Sequence, residues 1–245
     1  MRLRQFFNII PRDLARTVFY RVIDLACAVS VHSLSSYHSP RGLTGSRLRS
    51  CRAAAQRTLR LSIGNDSMSN HSEFLKQLQR YTAEAAITPA AVRKQGAPGV
   101  ARAARAYLAR SDLERLQKIT PKDYSNWLDK ETDRLRVVLP RGARHWGTAR
   151  KVLNIFLRTA TYTSPLAARF GLKKLLPMLE VPLDSHVAGK LRSKPEGREL
   201  PRWESVKGLG YKQSAEYQIV AQRIANRMKL NRADLDVYFW RADPT

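Results

Sequence analysis

The chain has 245 residues and 43% apolar content, enough for one substantial core, or for one domain with an extension. Its 44 Lys and Arg against 20 Asp and Glu leave a formal net charge of +24, a surplus that repels itself unless a polyanion or counterions offset it, so nucleic acid is the expected partner. The two cysteines, Cys27 and Cys51, belong to no CxxC or Cys/His cluster, and the apolar run over 22–31 carries Asp24 and is too short for a bilayer. No metal, iron–sulfur cluster or other cofactor and no membrane span are therefore expected, and the chain reads as intracellular, in the cytoplasm or nucleoid.

Composition divides the chain near residue 67. The first 67 residues hold eleven Arg and no Lys, three Asp and no Glu, with Ser clustered over 33–39. Three readings of this leader stand side by side: an organellar presequence, a basic arm that grips phosphates, or an over-long start preceding a native Met68. A helical domain is expected over 68–245.

From Met68 onward the apolar spacing is helical. Asn70 or Ser72 is expected to cap a helix whose stripe is Phe74, Leu75, Leu78 and Tyr81. A second helical stretch is expected over 89–110, broken by the turn signal Gly96-Ala97-Pro98-Gly99. Thr120-Pro121-Lys122-Asp123 opens the next helix: the Thr hydroxyl accepts from exposed amides, Pro suits the first turn, and Asp opposes the positive dipole end. Its buried stripe is expected to be Tyr124, Trp127, Leu128 and Leu135. Over 214–229 the residues Tyr217, Val220, Ala221, Ile224, Ala225 and Met228 share one face, and a last short helix runs from Asn231 to about Trp240. No long alternating run appears, so the predicted fold is all-α.

Two segments carry chemistry. The first is Pro140-Arg141-Gly142-Ala143-Arg144-His145-Trp146-Gly147-Thr148-Ala149-Arg150-Lys151-Val152-Leu153-Asn154: a tight turn feeding a helix, with free amides at the helix start and Thr148 as a candidate cap. Such a turn suits a phosphate. Lys151 is expected in the first turn among Arg141, Arg144 and Arg150, a setting that disfavours another positive charge and so favours the neutral, nucleophilic amine. The plainer reading is a helix start with solvated bases. In the second segment, Leu179-Glu180-Val181-Pro182-Leu183-Asp184-Ser185-His186-Val187-Ala188, Pro182 keeps Val181 extended and Asp184 caps a helix from Ser185. A capping carboxylate commits one oxygen to the helix amides. The other is free to face a cleft and stabilise a developing cation.

These residues resemble a known family. Gly147-Thr148-Ala149-Arg150-Lys151-Val152-Leu153-Asn154 is similar to the end of the hairpin and the start of the second helix in the helix-hairpin-helix–GPD superfamily of DNA glycosylases, with Lys151 at the position of its lysine. Val181-Pro182-Leu183-Asp184-Ser185-His186-Val187 resembles that superfamily's Val-Asp-Thr-His-Val segment, with Asp184 at its catalytic carboxylate. The two lie 33 positions apart, longer than in the endonuclease III branch and more similar to the archaeal 8-oxoguanine glycosylase branch. Two departures stand out: Ala149 replaces the hairpin's second glycine, and Trp146 precedes Gly147.

The resemblance implies a glycosylase-like fold of two helical subdomains flanking a cleft, and a monomer that acts on double-stranded DNA with one base flipped out. It implies base excision, 8-oxoguanine first among the substrates, through a Lys151 Schiff base assisted by Asp184, followed by strand cleavage. Arg144, His145, Trp146, Gly147, Thr148 and Arg150 are then expected to hold phosphates. Trp203, Phe239 and Trp240 are the candidates to stack on the base, and His186 reads as a structural histidine beside a cap. Two other readings remain: a non-enzymatic basic DNA-binding module built on the hairpin, and an RNA- or ribosome-associated basic protein.

Overall fold

The computed structural model describes residues 70–242, and the leader, both cysteines and Met68 lie outside them. Among the described residues there are helices and turns and no strand. In chain order the α-helices are α1 (70–86), α2 (Val100–Leu108), α3 (Glu114–Lys118), α4 (Pro121–Val138), α5 (Trp146–Tyr162), α6 (Ser164–Phe170), α7 (Ser185–Arg192), α8 (Tyr211–Met228) and α9 (Leu235–Ala242).

Local chemistry accounts for most of the boundaries. Thr120 caps α4, accepting from the Asp123 amide at 3.3 Å, with Pro121 in the first turn. Asp184 caps α7 through the Val187 amide at 2.9 Å. The α8 stripe is buried from Tyr217 through Ala225, with Met228 at its edge. Each large side chain enclosed there stabilises the fold by about 1.5–3 kcal/mol.

Two expectations fail early in the chain. Residues 89–95 form turns and only Val100–Leu108 is helical, because Gly96 at φ +112° and Gly99 at φ +85° stop propagation between them. On α1 the helix already includes Asn70 and Ser72, so neither caps it. Its buried face is Leu75, Gln79, Thr82, Ala83 and Ala86, while Phe74 and Tyr81 are exposed. A polar residue, Gln79, belongs to the inner face because its amide donates to the carbonyls of Leu108 and Ser111, at 3.0 and 2.8 Å.

The apolar interior forms two clusters. One gathers side chains from α1 through Leu179, with Ala233, around the central helix α5. The other begins at Val181 and is built from α7, α8 and α9 with Leu200 and Leu209. Glu180 separates them in sequence. The Lys151, Ile155, Arg158 and Thr159 edge of α5 is partly exposed, while the rest of its middle is enclosed.

Candidate functional site

The connector 178–184 between the two clusters is held at successive residues. Half-buried Arg232 of the 3-10 turn Arg232–Asp234 donates to the carbonyls of Leu179 (3.0 Å) and Met178 (2.9 Å). Glu180 receives both arms of the Arg150 guanidinium, at 2.8 and 2.9 Å, and the Asn154 amide at 3.0 Å. Gln218 of α8 clamps Val181, accepting from its amide at 3.1 Å and donating to its carbonyl at 2.8 Å. Extended backbone and the Asp184 cap follow from these restraints, with Pro182 adding its own.

Asp184 then meets Lys151. Its Oδ1 is committed to the cap, and its Oδ2 lies 3.3 Å from Lys151 Nζ. Both side chains are mostly covered, 11% and 15% exposed. The pair joins α5, which is centred in the first cluster, to the N-terminus of α7 in the second. Of the residues singled out in the sequence, these two are brought together from 33 positions apart.

A second ion pair adjoins it. Arg158, two turns beyond Lys151 on α5, donates to Asp236 Oδ2 of α9 at 2.6 Å. Burial pushes the Asp236 carboxyl above the ordinary carboxylate range; the Arg158 charge opposes this, the Asp184 charge adds to it, and Lys151 subtracts. Sequence reading missed both residues. The available signal was the seven-residue spacing that sets Arg158 on the Lys151 face. Asp236 reads from sequence as an ordinary acid in a helix's first turn.

The hairpin differs from expectation. Its turn is the 3-10 segment Arg141–Ala143, and α5 has begun by Trp146, so Lys151 stands in the second turn. Gly147 lies inside the helix, where a Cβ would fall 2.1 Å from the Val206 carbonyl oxygen. Thr148 is no cap: it is buried and donates to Gln95 Oε1 at 2.8 Å. Arg150, expected on phosphate and beside Lys151, is 3% exposed and directs four N–H bonds to Glu180, Asp129 (2.8 Å) and Thr132 (3.0 Å). Burial alone would raise the Glu180 carboxyl, but the Arg150 hydrogen bonds and charge, with Arg232 and Asn154, hold it below its ordinary range.

What remains outward at the turn is smaller. Arg141 and Arg144 are exposed, the latter donating to the Leu139 carbonyl at 3.0 Å, and half-buried His145 has Nε2 3.3 Å from the Gly142 carbonyl. Trp146 is half-buried under the Arg150 guanidinium, 5.0 Å above its ring, and meets Tyr211 edge-on. No side chain caps the start of α5.

The three aromatic candidates separate. Phe239 is 2% exposed and belongs to the second cluster, which removes it as a stacking surface. Trp203 is half-buried, packs edge-on against Tyr217 and donates from Nε1 to Ser185 Oγ at 3.2 Å, next to Asp184. Trp240 is 53% exposed and stacks on His186 at 4.2 Å. His186 has its Nε2 3.0 Å from the Phe239 carbonyl, tying α7 to α9 as a structural histidine does.

Among the described residues no group of His, Cys, Asp and Glu is arranged to hold a metal ion, and no helix is long and apolar enough to cross a membrane. The chain matches no family model, no curated protein and no solved structure.

Proposed function

We propose that this chain is a DNA glycosylase with AP lyase activity, of the helix-hairpin-helix–GPD kind, in which Lys151 is the nucleophile and Asp184 its carboxylate partner. The observation that carries this reading is the 3.3 Å contact of Lys151 Nζ with Asp184 Oδ2, made while the other Asp184 oxygen caps α7. An isolated lysine on a basic surface has no need of such a partner. Here the amine is oriented by an anion that is itself oriented by a helix start.

The chemistry follows from these positions. A nucleotide flipped from the duplex presents C1′ to the amine, whose proton passes to the departing base while Asp184 stays ionised beside it. As the glycosidic bond breaks, the base leaves with the bonding pair and the sugar carbon becomes cationic, a charge the Asp184 carboxylate opposes. Attack of the Lys151 nitrogen on that carbon and opening of the sugar ring give an imine. Loss of the C2′ proton then expels the 3′ phosphate and cleaves the strand. The Arg158–Asp236 pair offers a donor and an acceptor beside the same point, suited to the edge of a purine, and Trp240 and Trp203 flank the α7 start with aromatic surface. The exposed bases of the turn, Arg141 and Arg144, and the surplus of +24 draw the duplex in.

Borohydride trapping tests this on duplexes carrying 8-oxoguanine, uracil, an oxidised pyrimidine or an abasic site. A covalent protein–DNA adduct is expected, on the 8-oxoguanine duplex first, and it is expected to vanish in Lys151→Ala. Tight binding with no adduct and no base release on any duplex would replace this reading with that of a binding module.

A further inference from the structure

We infer that the opposite side of the domain holds a separate groove for single-stranded DNA. On α5 the side chains of Leu153, Phe156 and Leu157 line a hollow of about 550 Å³, roughly half a turn of the helix away from Lys151. This hollow shares Arg110 with a longer cleft of about 970 Å³ between α1 and α2. It shares Arg115, Trp127 and Arg134 with a smaller one of about 270 Å³ at the α3–α4 end. The three adjoin one another through these shared residues along one furrow.

Its chemistry is that of a strand track. Nine Lys and Arg line it against four carboxylates, an excess that a polyanion would offset. Several of these bases are committed within the fold: Arg80 to Glu84, Arg134 to Glu131, and Arg105 to the Ile87 carbonyl. Arg102, Arg110, Arg115, Lys118 and Lys130 are exposed and have no carboxylate within ion-pair distance among the described residues. They are the groups left over for phosphates.

At the middle of the furrow Trp127 is half-buried and lines two of the hollows, an aromatic face between cations. Beside it Tyr107 donates to Glu131 Oε1 at 2.7 Å and Arg134 to Oε2 at 3.1 Å, so this carboxylate is offset within the wall. Exposed cations on either side of an aromatic suit a strand whose bases are unpaired, because a duplex keeps its base faces stacked and unavailable to Trp127. The groove does not depend on the catalytic reading, since none of its residues belongs to the Lys151 site.

Fluorescence anisotropy of the full chain with a labelled oligothymidylate tests it. Wild type is expected to bind, and Arg110→Glu/Arg115→Glu is expected to weaken binding at least tenfold. The salt slope should become shallower by about 1.4 for two lost phosphate contacts at ~0.7 each. Trp127→Ala is expected to lose about tenfold through stacking, and Trp127→Phe less. Both charge changes are at exposed positions, so circular dichroism should match wild type, and borohydride trapping on a lesion duplex should persist in the double variant. Absence of strand binding in wild type would overturn the proposal. So would undiminished affinity in the double variant, an equal loss on intact duplex, or preference for RNA of the same length.

Discussion

Asp184 divides its two oxygens between the α7 cap and Lys151, and the division can be tested because asparagine caps helices as well as aspartate does. Asp184→Asn keeps an acceptor for the Val187 amide and removes the charge facing Lys151. Thermal stability is expected to stay near wild type, while under the proposed glycosylase reading base release falls by about 10²–10³-fold, the cost of removing one preorganised electrostatic partner. Single-turnover kinetics with a melting curve checks both halves; a large stability loss with unchanged turnover would assign Asp184 to structure alone. Asp184 was legible as a cap because its reason is local, whereas the expected setting of Lys151, in the first turn beside Arg150, gives way to the second turn of α5 and a contact with Asp184. Arg150 was not legible. Next to Lys151 it reads as one more surface cation, and only the arrival of Glu180 and Asp129 from elsewhere makes it an interior residue.

The α4–turn–α5 hairpin was legible as an element, and its interior was not. The cap at Thr120, the break after Leu139 and the α4 stripe of Tyr124, Leu128 and Leu135 follow from nearest neighbours in sequence, whereas Trp127, expected in that stripe, is only half-buried. The glycine at 147 looks like a turn residue by the same logic, yet it sits within α5 because the 206–209 loop presses on that point. Gly147→Ala should therefore be costly in spite of alanine's better helix propensity. A Cβ 2.1 Å from the Val206 carbonyl oxygen and 2.7 Å from Leu209 Cβ must displace backbone, at about 1–3 kcal/mol or more. Denaturant titration checks this, and a stabilised variant would contradict the close approach. The α1 stripe failed for a related reason: periodicity marks Phe74 and Tyr81 as inner, but burial depends on which face the neighbouring helix covers.

The two apolar clusters are joined by a connector in which Glu180 takes both arms of the Arg150 guanidinium, so the molecule should respond to acid through that residue. Its folded-state carboxyl titrates below the ordinary 4.5, so its contribution is complete above about pH 4.5 and is lost as pH falls below that value. Asp129, whose carboxyl burial raises, works in the other direction, so comparison with Glu180→Gln isolates the effect. The variant is expected to be about 3–5 kcal/mol less stable at neutral pH, leaving Arg150 and Arg232 short of a buried partner, and to lose less on acidification. Chemical denaturation at pH 7 and below 4.5 measures both, and parallel losses in the two proteins would remove Glu180 from the account. What could be read from the chain alone was what neighbouring residues impose on one another: helical class, caps, the α8 stripe, the excess of positive charge, and the two motifs. The approach of Lys151 to Asp184, the Arg158–Asp236 pair beside it, the burial of Arg150 and the furrow behind α5 depend on contacts between residues distant in sequence. Such contacts arise only when packing fixes which faces meet, and local spacing carries no information about the partner.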